Sequence, residues 1–346
     1  MPVPFLFGAV AVVGGLYGLK KHIDASDNND EAKWLINDSR EKYENTHSVL
    51  EKRHKELQRS LKKLGNTKID IQMKQIRKFT SLYSRFKNVA FAGDVHLDSF
   101  GKTKDFNEHV KEMEVSSMNL QEVMLNSGGS LAAGAVAGIA AYGGVGLFGA
   151  ASTGTAIAGL SGAAATNATL AWLGGGSLAA GGLGVAGGTA VLGGIVLAPV
   201  LAISGLLSSA KSEENLAKAR AQAAKAKKAV EQMKTIIAFC DALISLSEDY
   251  NKFLRWFQGI FDKYLDDFAY LADNAEVDDD GHIDFRKLTI EQQQIIQLNR
   301  LIVQIMWKTL KTPLLEGENH INEQASVLLE ENYNKAREIV DNMQVV

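Results

Sequence analysis

The sequence predicts an all-α protein in which long helical arms, bundled or coiled-coil, surround a glycine-rich transmembrane helical region. Three observations carry that prediction. Val123 to Ala210 are 88 consecutive residues without one Asp, Glu, Lys, Arg or His. The flanking sequence is polar, with apolar residues recurring at steps of three, four and seven, the spacings of a helix face. The uncharged run itself is rich in Ala and low in β-branched residues, which favours helix over strand.

The length of 346 residues allows two domains and a sizeable core. A soluble domain needs charge on its surface, and an uncharged run far beyond ~20 residues is the signature of spanning segments. A mean hydropathy near zero conceals this, because the polar arms offset the centre. The divisions expected are an N-terminal membrane anchor (1–22), an N-terminal helical arm (23–125), a glycine-rich membrane-inserting region (126–210) and a C-terminal helical arm (211–346).

Val3 to Leu19 are apolar, with Gly14 and Gly18 at the spacing that lets helices approach closely, and Lys20 and Lys21 follow at once. A secretory signal has its positive charge before the apolar stretch, so an anchor with Lys20 and Lys21 at cytoplasmic headgroups fits better. A helix that inserts only on activation is the alternative.

From about Asn28 to Leu64 a polar helix is expected. Ile36, Tyr43, Leu50, Leu57 and Leu64 repeat every seven residues, while Ser39, Thr46, Arg53 and Ser60 occupy the row where a second apolar seam would lie. Gly65 and Asn66 are expected to break it. A second helix, about Lys68 to Phe86, carries Ile76, Phe79, Tyr83 and Phe86 as a core-facing stripe. Asn88 to Thr103 read as a loop, and a third helix, about Asp105 to Leu125, leads into the centre.

The centre holds 22 of the 32 glycines. Glycine weakens a helix by up to ~1 kcal/mol per residue relative to Ala, so small residues need another function. In lipid that function is close helix packing, as at Gly134 with Gly138 and Gly184 with Gly188. The best spans are about Leu131 to Ala150 and Val191 to Leu207; the stretch between crosses twice more or lies in the interface.

Residues 211 to 234 hold seven Lys or Arg against three Glu, and Lys225, Lys227 and Lys228 are expected at lipid headgroups. Ile236, Cys240, Leu243, Ser247, Tyr250, Leu254, Phe257, Phe261, Tyr264, Phe268 and Leu271 then alternate steps of four and three, which predicts one long packed helix, or two nearly collinear, over 211–271. Helices at about Ile290 to Leu310, ended by Pro313, and about Ile321 to Met343 follow. The basic residues on both arms place them in the cytoplasm, so the centre crosses an even number of times.

Glu276, Asp278, Asp280, Gly281, Ile283 and Asp284 resemble positions of an EF-hand calcium loop, which makes Asp278, Asp280 and Asp284 a calcium candidate. Lys287 stands where the bidentate Glu belongs, so an acidic turn without tight calcium binding is expected. Gly93, Asp94 and His96 echo a fragment of a dinuclear phosphoesterase signature whose other ligand motifs are absent. No phosphate loop and no nucleophile elbow occur, and no cofactor or nucleic acid is expected. Cys240, the single cysteine, falls on an apolar position and reads as core filler.

Two helical arms around an uncharged Gly- and Ala-rich head resemble the organisation of α-helical pore-forming toxins and of apolipoprotein-L-like proteins. The stretch Ser161 to Ala165 running on to Leu173 through Gly182 is similar to the glycine-rich domain of small interferon-inducible membrane proteins and to bacterial glycine-zipper membrane proteins. The last likeness also takes in Phe5 to Asp24. These resemblances imply membrane insertion by the centre, with permeabilisation. The expectation is therefore a non-enzymatic, homo-oligomeric protein of the cytoplasmic membrane, with the lipid bilayer as partner, that perturbs or perforates it in the manner of a defence effector. The alternative is a non-conducting scaffold that recruits an unknown protein through its arms.

Overall fold

The computed structural model describes residues 25–89, 103–126, 133–143, 214–316 and 320–343. Seven α-helices account for most of them: α1 (Ala25–Ile71), α2 (Arg77–Tyr83), α3 (Thr103–Asn126), α4 (Ala133–Tyr142), α5 (Glu214–Asn274), α6 (Ile290–Lys311) and α7 (Glu323–Met343). A π-helical turn, Gln72–Ile76, joins α1 to α2. Two short strand pairs, β1 (Phe86–Lys87) parallel with β2 (Ile283–Asp284) and β3 (Leu315–Glu316) antiparallel with β4 (His320–Ile321), and a 3-10 turn at Phe285–Lys287 complete the described set. The all-α class is thus observed, and no described helix is long and apolar enough to cross a membrane.

The chain divides into two compact units, Met1–Lys55 with Gly193–Asp241 and Glu56–Leu192 with Ala242–Val346. In the first, the described residues are two helical stretches, one from α1 and one from α5. Arg220 donates to Glu31 at 2.9 Å and Arg53 pairs with Asp241 at 3.0 Å. The partner lies 188 or 189 positions further along in both pairs. A constant offset means that the two stretches run parallel. Leu50 from α1 and Val230, Met233, Ile236 and Cys240 from α5 are buried.

In the second unit an offset of 187 or 188 continues the pattern, at Gln75 with Asp262, Lys78 with Asp266 and Arg85 with Asp273. Between these ion and amide pairs lies an aromatic core. The Phe79 ring meets Tyr83, Phe106, Phe261 and Phe268 at centroid separations of 5.6, 6.3, 6.4 and 5.8 Å, binding α2, α3 and α5 together. The stripe Ile76, Phe79, Tyr83 and Phe86 is buried as expected, and so is the α5 series from Ser247 to Leu271 apart from half-buried Tyr264. Towards the end of α1 the polar row finds polar partners, as Ser60 Oγ lies 2.5 Å from Ser247 Oγ and Thr67 donates to Asn251 at 2.7 Å, whereas Ser39 and Thr46 line open space between α1 and α5.

α6 starts at a capping box, in which Thr289 Oγ accepts from Gln292 N–H and Gln292 Oε1 accepts from Thr289 N–H. It stops at Thr312, just before Pro313. Its residues Asn299 to Trp307 are buried on every side, as befits a central helix.

Two expectations are corrected. Gly65 and Asn66 do not break the first helix; α1 continues to Ile71, and the expected second helix from Lys68 begins inside it. The first expected span, Leu131 to Ala150, is cut short, because α4 ends at Tyr142 and Gly143 turns the chain at φ +67°. That left-handed conformation is the usual stop for a helix and is open to glycine at low cost. The second expected span, Val191 to Leu207, and the N-terminal segment lie outside the described residues.

Candidate functional site

α4 starts ten residues into the uncharged run, and what holds it is the most distinctive arrangement in the second unit. Val136, Ala137, Gly138, Ile139, Ala140 and Ala141 are all buried, so the helix is apolar because protein surrounds it. α1 comes against it at Gly65. A Cβ built there would fall 2.1 Å from the Val136 carbonyl oxygen, so only glycine permits the approach. The same holds at the end of α4, where a Cβ on Gly143 would meet the Lys311 carbonyl oxygen at 2.1 Å. Gly65 was mistaken for a break because its packing partner is 71 residues away.

A helix end leaves its last four carbonyls without partners. Two of those in α4 find donors in the arm. Leu314 N–H donates to Ala141 O at 2.7 Å, and Lys68 Nζ donates to Ala140 O at 3.4 Å and to Thr312 O at 3.3 Å. Lys68 is wholly buried, and its ammonium lies 5.9 Å from the centre of the Tyr250 ring. That ring is fixed from behind, because the Tyr250 hydroxyl donates to Ala325 O at 2.7 Å. Among the described residues no carboxylate pairs with Lys68, and burial pulls its pKa down to about 7. A cation at a helix C-terminus is favoured by the dipole, but desolvation outweighs that here.

Around this seat, Lys311 on α6 pairs with Glu112 on α3 at 2.5 Å, and Gln72 donates to Ser117 Oγ at 2.6 Å from the π-helical turn. From sequence alone Gly65 read as a helix break, Lys68 as a helix start and Tyr250 as one member of the α5 stripe, and nothing pointed to Thr312. A signal existed for Lys68: it stands in the series Leu57, Leu61, Leu64, Lys68, Ile71, a lysine at an apolar position of an otherwise buried stripe.

The acidic turn is built from its own hydrogen bonds. Asp278 Oδ1 accepts from Asp280 N–H and His282 N–H, and its other oxygen meets Lys87. The Lys87 ammonium and these backbone donors hold its pKa down to about 2. Asp284 accepts from Arg286 and from Asn88, and the Arg286 guanidinium holds it well below the usual carboxylate range. Both carboxylates thus fasten the turn beside β1 and β2, and Asp280 is exposed. Among the described residues no cluster of three or more His, Cys, Asp or Glu could hold a metal.

Cys240 is buried, and burial pushes its thiol up to about 11. Lys225, Lys227 and Lys228 are exposed on α5 in the first unit. Gly134 and Gly138 lie in α4. Gly14, Gly18, Lys20, Lys21, Gly184 and Gly188, together with the Gly93–Asp94–His96 fragment, lie outside the described residues. No protein-family model, curated protein or solved structure matches the chain.

Proposed function

We propose that the chain is an oligomeric helical protein whose glycine-rich segment enters the cytoplasmic membrane and perturbs or perforates it, with the arms on the cytoplasmic side controlling assembly. The observation that carries this reading is the 88-residue uncharged run, with its first helix taken into the core of the second unit through Gly65 and Lys68. A stretch so long and so free of charge has no means of presenting a hydrated surface, and a bilayer removes the need for one. Gripping Ala133–Tyr142 gives the arms mechanical control over the rest.

A second reading, a non-conducting anchor or scaffold, is favoured by the firmness of that grip: two capped carbonyls and two glycine contacts suit a permanent attachment. Dye release from liposomes separates the two. Wild-type protein that forms a pore releases dye, and Gly184→Leu with Gly188→Leu keeps it in the membrane fraction while crosslinked oligomers and release are lost together. Wild-type protein that inserts, forms its oligomers and leaks nothing sinks the pore and leaves the anchor. Gly138 is unsuited to this test, because it is buried in α4 and a larger side chain there would disturb the seat.

A further inference from the structure

The first unit carries a groove that neither the α4 seat nor the aromatic core explains. It encloses about 670 Å³ between α1 and α5. Trp34, Leu35, Ala223, Ala226 and Val230 give it an apolar lining, and Lys227 stands on its rim. Trp34 is 63% exposed, an unusual position for the largest apolar side chain, and it lies one turn beyond the Glu31–Arg220 pair.

Three features say what covers it. The first is where the chain goes. The two helices start level, each six residues before the Glu31–Arg220 pair. The apolar sequences Val3 to Leu19 and Val191 to Leu207 stop six and seven residues before those starts. A chain covers at most ~3.6 Å per residue, so both apolar sequences end within roughly 25 Å of the same end of this unit. The second is charge. From Glu214 to Lys234, α5 has six basic residues against two acidic ones, and Lys225, Lys227 and Lys228 have no ion-pair partner among the described residues. Of the groove's acidic lining residues Asp38 is already paired with Lys42 and Glu231 with Lys234, which leaves Lys227 as the lining charge without an ion pair among the described residues. Glu41 and Glu44 on α1 lie outside the groove lining. The third is the aromatic itself, since indole rings gather at the level of lipid headgroups, where an apolar body and a polar N–H are both accommodated.

We infer that this face of the first unit, Trp34 with the groove and Lys227 on its rim, lies on an anionic lipid surface, Trp34 entering the headgroup layer and the lysine meeting phosphate or carboxylate. The inference rests on the membrane reading above and deepens it by naming the side of the arm that faces the bilayer. The acidic outer residues of α1 then face water, which orients the unit.

The test uses the full chain with Trp34→Cys in a Cys240→Ala background, labelled with an environment-sensitive fluorophore and mixed with vesicles of phosphatidylcholine alone or with phosphatidylserine. A second variant, Val196→Cys in the same background, reports on the apolar segment independently. The expected result is a blue shift at position 34, quenched by brominated lipid, on phosphatidylserine vesicles. Lys227→Gln should weaken binding roughly 5-fold, given ~1 kcal/mol for a basic residue at an anionic leaflet, whereas Lys225→Gln, about 160° round α5 from it, should change binding little. A label at 196 that enters the bilayer while the label at 34 stays in water overturns this inference and leaves membrane insertion standing. Labels at both positions that stay in water overturn both. A shift at 34 that grows with protein concentration and needs no vesicles assigns the groove to a second copy of the chain and overturns the lipid assignment.

Discussion

Phe257→Asp is expected to abolish the cooperative melting of the second unit. Phe257 is fully buried on α5, with its ring 5.5 Å from Phe253 and 6.0 Å from Trp256. Losing a buried Phe side chain costs ~3–5 kcal/mol by cavity formation and lost transfer free energy. An unpaired carboxylate in the same dry place costs several kcal/mol more, or takes up a proton to avoid it. The sum reaches the ~5–15 kcal/mol by which domains are stable at all. Circular dichroism at 222 nm should show a broad, early loss of helix, while Trp256→Ala, on a side chain 38% exposed, should cost much less. A Phe257→Asp protein that melts like wild type would contradict the burial of Phe257 in the core of the second unit.

The second large effect belongs to Lys68. Its pKa is lowered by burial from the ordinary 10.5 to about 7 in the folded protein. Between those values the unfolded chain binds a proton that the folded chain does not, so stability rises with pH over about 7 to 10.5 and is flat below. The slope at its steepest approaches ~1.4 kcal/mol per pH unit. Lys68→Met keeps the length and apolar stem of the side chain and removes the titrating group. It is expected to raise the melting temperature at pH 7 and to flatten the rise between pH 7 and 10, in spite of ~1 kcal/mol lost at each long hydrogen bond to Ala140 O and Thr312 O. Equal pH dependence in the two proteins would mean that Lys68 is not dry in the seat.

How much of this was legible in the sequence depended on how far apart the partners are. The α5 helix was readable because its apolar steps persist over many turns, and each step gives the same answer. The uninterrupted α1 was not, because Gly65 stands for a contact with Val136 that local pattern does not contain. Ser39, Thr46, Arg53 and Ser60 suggested an unfilled row, but Ser60 and Arg53 have partners in Ser247 and Asp241, and only the parallel pairing brings them together. Ser247 itself was visible as a polar member of the α5 series; its match with Ser60 was not.

α4 shows the limit most clearly. A helix enclosed by protein and a helix enclosed by lipid are both apolar all round, so composition does not separate them. Length does, since a run of about 10–14 apolar residues is more often a buried core helix than a span. The turn at Gly143 makes Ala133–Tyr142 short in this sense, although the sequence around it continues uncharged for many residues. Lys68 was overlooked for a related reason: a lysine beside an expected helix break looks like a solvated helix start.

The central claim is that the arm keeps the first helix of the uncharged run while a later part enters the bilayer. Its most direct test is depth measurement by lipid-borne nitroxide at two positions, Ile139→Cys and Val196→Cys, each labelled in the full chain bound to liposomes without Cys240. The account predicts that the label at 196 is quenched from within the bilayer, whereas 139, buried in the α4 seat, is shielded from lipid and water quenchers alike. A label at 196 open to water-soluble quencher in protein that is bound to the liposomes would contradict it, as would a label at 139 quenched as deeply as the one at 196.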